Sequence, residues 1–296
     1  MIKMKQVSQT VEEAFDDFLS SKRANGLQEK TLLTYKQHFR IICKKLDSTQ
    51  YIEDLSKREI EEAINLLRPG LSSNSVRSYT ATLKSFLSWC AAEGLTDVSI
   101  KLYKAEETVK DTYSNTELQK LLKKPNTHSC GFAEYRNWVI INLLLNSGTR
   151  ASTIRNILIK DVDLDNQTIS YRHTKNKSIQ IVPLCCEMKK ILKEYMRIRD
   201  GQDNDYLFPN QIGGMMTENG LNEAIRRYNR SRGVEKTSIH LFRHSFAERY
   251  LKQGGNPFDL QKILGHSTLA MTKHYCRIYD KELVKNYDKY SPLQNL

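Results

Sequence analysis

Residues 238–279 hold a dense set of groups able to act on a phosphate ester. They read His240-Leu241-Phe242-Arg243-His244, then Leu264-Gly265-His266-Ser267, then Tyr275 nine positions after His266. Ser147-Gly148-Thr149-Arg150 stands upstream, at the end of an apolar run. Cutting a phosphodiester without a metal requires a nucleophile, clamps for the charge that builds on the phosphoryl oxygens, and an acid for the leaving hydroxyl. Arginine supplies planar, permanently charged forks for phosphate oxygens. His240 lies three residues before Arg243, so on a helix the two share a face and can address one phosphate. A zinc helix is the competing reading, since His240 and His244 have i, i+4 spacing. It fails at Leu241, where the HExxH pattern needs Glu. No metal and no cofactor are expected, and neither GxxxxGK[ST] nor GxGxxG occurs.

The elements that must carry these groups are mostly helical. Val11, Ala14, Phe15, Phe18 and Leu19 recur at helical spacing over 10–25, with Gly26 as the expected C-cap. Leu32, Tyr35, Phe39, Ile42 and Leu46 repeat the pattern over 29–46. Further helices are expected at about 56–68, before Pro69-Gly70, and 73–93, ending at Gly94. Four helices of this length make a compact bundle. Residues 101–112 are polar and aperiodic and read as a linker, giving domains of 1–105 and 106–296. Ser114 and Glu117 then form a capping box that opens a new helix. Residues 168–172 and 179–184 are β-prone and flank a basic tip, as in a hairpin. Helices resume near 186–199, 217–231, 240–253, 257–264 and 268–275.

Composition bounds the partners. The 296 residues carry 46 Lys and Arg against 34 Asp and Glu, a net charge of +12 that points to a polyanion such as nucleic acid. Most of the excess falls after residue 105, including Arg226, Arg227, Arg230, Arg232 and Lys236 just before the histidine motif. The greasiest stretch, Trp138 to Leu145, is interrupted by Asn142 and is too short to span a membrane. No signal-peptide core opens the chain, and the six cysteines show no CxxC pair. They read as reduced thiols, and the expected location is cytoplasmic, on the nucleoid.

Taken in order, the arginine turn, the basic hairpin, HxxRH, LGHS and a tyrosine at that distance resemble the tyrosine recombinase (phage integrase) family. The resemblance covers nearly the whole chain and is strongest over 144–184 and 238–279. It implies a mainly α fold with a small β-hairpin or sheet: an N-terminal four-helix, SAM-like core-binding domain followed by an α-rich catalytic domain. It implies that Arg150 and Arg243 clamp the phosphate and that His240 serves proton transfer and transition-state hydrogen bonding. His266 takes the position that contacts a phosphoryl oxygen. Counting back from Val182-Pro183-Leu184, the general acid falls on Lys175, with Lys177 as runner-up. Of fifteen tyrosines, the spacing after His266 selects Tyr275 as nucleophile, with Tyr279 one turn later as the decoy. His244 is expected to point elsewhere and to play a supporting role. Thr153 stands where the family commonly has Glu, and Phe242 where it has Leu.

The activity implied is site-specific recombination through a 3′-phosphotyrosyl link, with neither ATP nor metal. The expected partners are double-stranded DNA at a short inverted-repeat core, a homo-tetramer on two DNA sites, and a directionality factor. Integration or excision of a mobile element is the preferred role. Chromosome-dimer resolution of the Xer type, nicking and closing like a type IB topoisomerase, and a catalytically silent DNA-binding accessory protein are the rivals. The chain opens almost directly on its first bundle helix, so no arm-binding domain is expected. Leu283 and Val284, near the end, are expected to dock either in cis or on a neighbouring protomer.

Overall fold

Local capping chemistry sets where several helices begin. Thr10, Ser56 and Ser114 each accept a backbone N–H with the side-chain oxygen, while Glu13, Glu59 and Glu117 reach back to the cap N–H. The computed structural model describes residues 8–106, 111–172, 179–269, 271, 272 and 275. It divides into two compact units, Met1–Val109 and Lys110–Leu296.

The first unit holds α1 (Val11–Ala24), α2 (Glu29–Ile42), α3 (Lys57–Leu67) and α4 (Ser73–Ala92). Each turns a 3.6-residue apolar stripe inward. The stripes meet in an aromatic centre, where Phe15 and Phe39 stack at 3.7 Å and Phe86 presents its edge to both. Phe18 packs on Phe86 and Trp89. Two boundaries differ from expectation. The cap of α1 is Asn25, and Gly26 takes the left-handed conformation one residue later. α2 stops at Ile42, though Leu46 still enters the core from the turn beyond.

The second unit is built around α6 (Phe132–Ser147), whose residues 138–141 are all buried. A helix apolar on all sides belongs at the centre of its domain. Around it lie α5 (Asn115–Leu122), α7 (Ala151–Arg155), α8 (Cys186–Arg199), α9 (Glu218–Ser231), α10 (Ile239–Lys252) and α11 (Pro257–Leu264). The expected hairpin is present as β2 (Thr168–Tyr171) and β3 (Gln180–Pro183), antiparallel, with Ile169 opposite Val182 and both fully buried. The short strand β1 (Val162–Asp163) adds to β2, making a three-stranded sheet in the order β1-β2-β3. Neither β1 nor α7 was legible in the sequence, since each is too short to show a period. Of the expected 268–275 helix, 269, 271, 272 and 275 are helical, 268 is a bend, and 270, 273 and 274 lie outside the described residues, as does the C-terminal segment with Leu283 and Val284.

Cys43, Cys90, Cys130, Cys185 and Cys186 are free thiols; Cys276 lies outside the described residues. Burial pushes Cys90 up to about 12, which keeps it an unreactive thiol.

Candidate active site

The arginine turn is held by hydroxyls. Ser147 ends α6, and its Oγ donates to the Leu143 carbonyl at 2.8 Å. Thr149 Oγ1 donates to the Tyr171 hydroxyl at 2.7 Å, and that hydroxyl donates to Ser147 Oγ at 3.1 Å. All three residues are buried, so each polar group has found a partner, as burial demands. Burial pushes the Tyr171 phenol up to about 12, so it stays a neutral donor. This ring ties the end of α6 to β2. Between Ser147 and Thr149, Gly148 sits at φ 60°, and a Cβ there would approach Phe246 at 2.6 Å and Leu264 at 2.7 Å. The turn therefore needs glycine both for its backbone and for the close approach of α10 and α11. Arg150 follows as the N-cap of α7.

Arg243, on α10, is 94% withdrawn from solvent, with 6% of its surface exposed. Its Nη1 donates to the Gly148 carbonyl at 2.7 Å. Its Nη2 donates to the Leu264 carbonyl at 2.8 Å and faces His266 Nε2 at 2.8 Å. Arg150 Nη1 reaches the same Leu264 carbonyl at 3.4 Å. No carboxylate appears among these contacts. Burial, and then the like charge of Arg150, lower the Arg243 guanidinium to about 10; burial also lowers Arg150. Two cations held this way, against neutral oxygens, make an anion-seeking site.

His266 follows Gly265, the left-handed cap of α11. Because a guanidinium can only donate, His266 Nε2 accepts from Arg243. The proton therefore sits on Nδ1, which lies 2.9 Å from Thr272 Oγ1. Gln180, on β3, donates through Nε2 to the Lys262 and Ile263 carbonyls at 2.7 and 2.6 Å. It thereby ties the sheet to the end of α11, one residue before the carbonyl that both arginines address. Nothing in the sequence marks Gln180 or Thr272, because their partners are fixed only by tertiary packing.

Tyr275 is 6% exposed and packs with Phe246, Leu251, Leu260 and Leu264. Burial raises its phenol above the ordinary value, while Arg243 and Arg150 are close enough for their charges to act against that shift. His244 departs from expectation. Instead of pointing away, its Nδ1 lies 2.6 Å from the Tyr275 hydroxyl oxygen. Adjacency to Arg243 implied divergence, but the chain brings Tyr275 to the side of α10 that His244 occupies. His240, one turn earlier, is exposed. Lys175 and Lys177 lie outside the described residues, between β2 and β3. The structure thus assembles Arg150, Arg243, His266 and Tyr275, adds His244, and leaves His240 at the solvent side of the same helix.

The basic cluster before the motif is largely engaged internally. Arg226 and Arg227 pair with Glu223, Arg232 with Glu134, and Lys236 with Asp111 and Glu117. Thr153, where an acidic group was noted as missing, is buried. Among the described residues, no group of three or more His, Cys, Asp or Glu is placed to hold a metal ion.

Comparison with known proteins matches residues 112–282 to the phage integrase family and residues 13–94 to the phage integrase N-terminal SAM-like domain. The tyrosine recombinase XerC of Thermodesulfovibrio yellowstonii is 30% identical over 243 residues, covering 76% of this chain and 78% of the relative. In fold, the chain is similar to the Tn1549 transposon integrase in complex with transposon right end DNA. The TM-score is 0.78 at 19% identity, over 96% of this chain and 100% of the other. It is also similar in fold to lambda integrase, solved as a tetramer bound to a Holliday junction. There the TM-score is 0.74 at 18% identity, over 91% of this chain and 78% of the other.

Proposed function

Since this chain belongs to the phage integrase family, we propose that it is a site-specific DNA recombinase that cuts and rejoins strands through a covalent link to Tyr275. The observation that carries the reading is Arg243. It is a buried cation that touches the arginine turn, the end of α11 and His266 together, and its charge bears on the Tyr275 phenol. A phosphodiester brought to this point meets two guanidinium groups, Arg243 buried and Arg150 half-buried, and withdrawal from water strengthens their stabilisation of a phosphoryl transition state. The Tyr275 oxygen attacks phosphorus, a 3′-phosphotyrosyl ester forms, and the 5′-oxygen leaves. Lys175 protonates that oxygen, and His240, exposed on the face of α10 that precedes Arg243, hydrogen-bonds the phosphoryl group. Attack by a second strand's 5′-hydroxyl reverses the step. The ester conserves the bond energy, so the reaction needs no nucleotide.

The proposed partner is duplex DNA carrying a short inverted-repeat core, bound by a homo-tetramer spanning two sites. The preferred role is integration or excision of a mobile element. Chromosome-dimer resolution is the second reading, favoured by the 30% identity to a relative named XerC. Among the described residues, no helix is long and apolar enough to cross a membrane.

The test is a nicked duplex that traps covalent intermediates, drawn from DNA flanking the gene and run on denaturing gels with EDTA present. Wild type and Tyr279→Phe form a protein–DNA adduct, and Tyr275→Phe forms none. An adduct that survives in Tyr275→Phe rejects the assignment of the nucleophile. Absence of adduct from a wild type that binds the fragment turns the reading to a silent DNA-binding protein.

A further inference from the structure

A tyrosine that attacks phosphorus must give up its proton, and the buried Tyr275 phenol is protonated at neutral pH. Arg150 and Arg243 cannot receive that proton, since guanidinium has no acceptor. His266 is turned to Arg243 through Nε2 and to Thr272 through Nδ1. His240, to which the family resemblance gives proton transfer, is exposed one turn earlier on α10, whereas His244 reaches the phenol itself. Its Nδ1 stands 2.6 Å from the phenolic oxygen, at the short end of the hydrogen-bond range. The two rings lie 5.6 Å apart, centroid to centroid. Its neighbours in sequence hold it there. Arg243 is tied to Gly148 and Leu264, and Ser245 accepts the Tyr113 N–H at 2.8 Å. The imidazole therefore projects from a turn of α10 anchored on both sides.

We propose that His244 takes the phenolic proton of Tyr275 as it attacks and returns it when the strands are resealed. The inference rests on Tyr275 being the nucleophile. In cleavage the Tyr275 O–H bond breaks and its proton passes to Nδ1. The phenolic oxygen forms the bond to phosphorus, and the 5′-oxygen departs with a proton from the general acid. In resealing, His244 returns the proton to the departing phenolate. This separates the two protons of the reaction: His244 serves the nucleophile, and the leaving group is served from the other side of the phosphate. Arg150 and Arg243, from the arginine turn and α10, bear on the Tyr275 phenol, and both favour a phenolate. Glu248, one turn beyond His244, is held by Lys252.

The experiment measures single-turnover adduct formation on the trapping substrate across pH, for wild type, His244→Asn and His244→Gln, each with Tyr or 3-fluorotyrosine at position 275. Asn places an acceptor near the position of Nδ1 but cannot carry the proton. The expected result is a loss of about 100-fold or more in both variants at neutral pH with DNA binding intact. The more acidic fluorinated phenol recovers part of that loss. In wild type, the rise of rate with pH tracks the imidazole, so fluorination leaves its midpoint in place. A midpoint that moves down with fluorination shows that the phenol ionises unaided and overturns the proposal, and this reading needs no His244 variant to fold. Variants that lose activity equally at every pH, with no recovery on fluorination, also overturn it and leave His244 a packing residue. Failure of Tyr275 as nucleophile is seen separately, as an adduct that persists in Tyr275→Phe.

Discussion

The two units solve opposite problems at their centres. Phe15, Phe18, Phe39 and Phe86 fill the middle of the first unit with rings in contact. The middle of the candidate site in the second unit holds Arg243, Ser147, Thr149 and Tyr171, all buried and all hydrogen-bonded. An apolar centre stabilises by removing area from water and asks little about direction. A polar centre gains little net stability from each bond, and leaving any one unmade is expensive. What it yields is fixed direction: two guanidinium groups, an imidazole and a phenol are held by partners that permit one arrangement. The first centre is therefore expected to be sensitive to volume and the second to geometry.

That contrast can be broken by substitution. Phe86→Ala removes a ring in contact with three others and should cost about 3–5 kcal/mol of stability. Denaturant unfolding followed by Trp89 fluorescence checks this, since Trp89 lies in the same cluster. A cost under about 1 kcal/mol would mean that the aromatic centre is loosely packed. Arg243→Lys keeps the charge and loses the fork. It should lower adduct formation by about 100- to 1000-fold, in line with removal of one oxyanion donor. The carbonyls of Gly148 and Leu264 lose donors, so the melting temperature should fall as well, and activity measured well below it should still show the loss. Equal activity for lysine would show that charge alone suffices and would undo the geometric reading. Gln180→Ala frees the Lys262 and Ile263 carbonyls, groups near the protein surface, and should cost about 1 kcal/mol. A fall in cleavage rate of up to about tenfold, larger than the change in DNA affinity, would show that the tie from β3 helps to place His266. Unchanged cleavage would confine Gln180 to capping α11.

Much of the architecture is legible in the sequence. Amphipathic spacing placed α1, α2 and α4 to within a few residues, because a 3.6-residue period over fourteen or more positions is hard to produce by chance, and Pro69-Gly70 bounded the shorter α3. The capping box at Ser114 marked the start of α5 for a purely local reason: its partners are three residues apart. The hairpin was legible through its two β-prone runs, but β1 was not, since two residues carry too little pattern. The helix ends that shifted, at Asn25 and Ile42, are positions where neighbouring conformations differ by little energy.

For the candidate site the division has the same physical origin. Residue order and spacing were enough to single out Arg150, His240, Arg243, His266 and Tyr275, and to identify a family whose model matches residues 112–282. They were not enough to say which groups touch. His244 was expected to face away because it follows Arg243. The packing of Leu260, Leu264 and Tyr275 against α10 instead brought the phenol to it from 31 positions along the chain. The Leu264 carbonyl became a shared acceptor for two arginines, one of them 114 positions away. Spacing reports on contacts within a helix or across a turn, where the backbone sets the distance. Contacts between elements depend on how side-chain volumes fit in the core, and only the folded chain decides them.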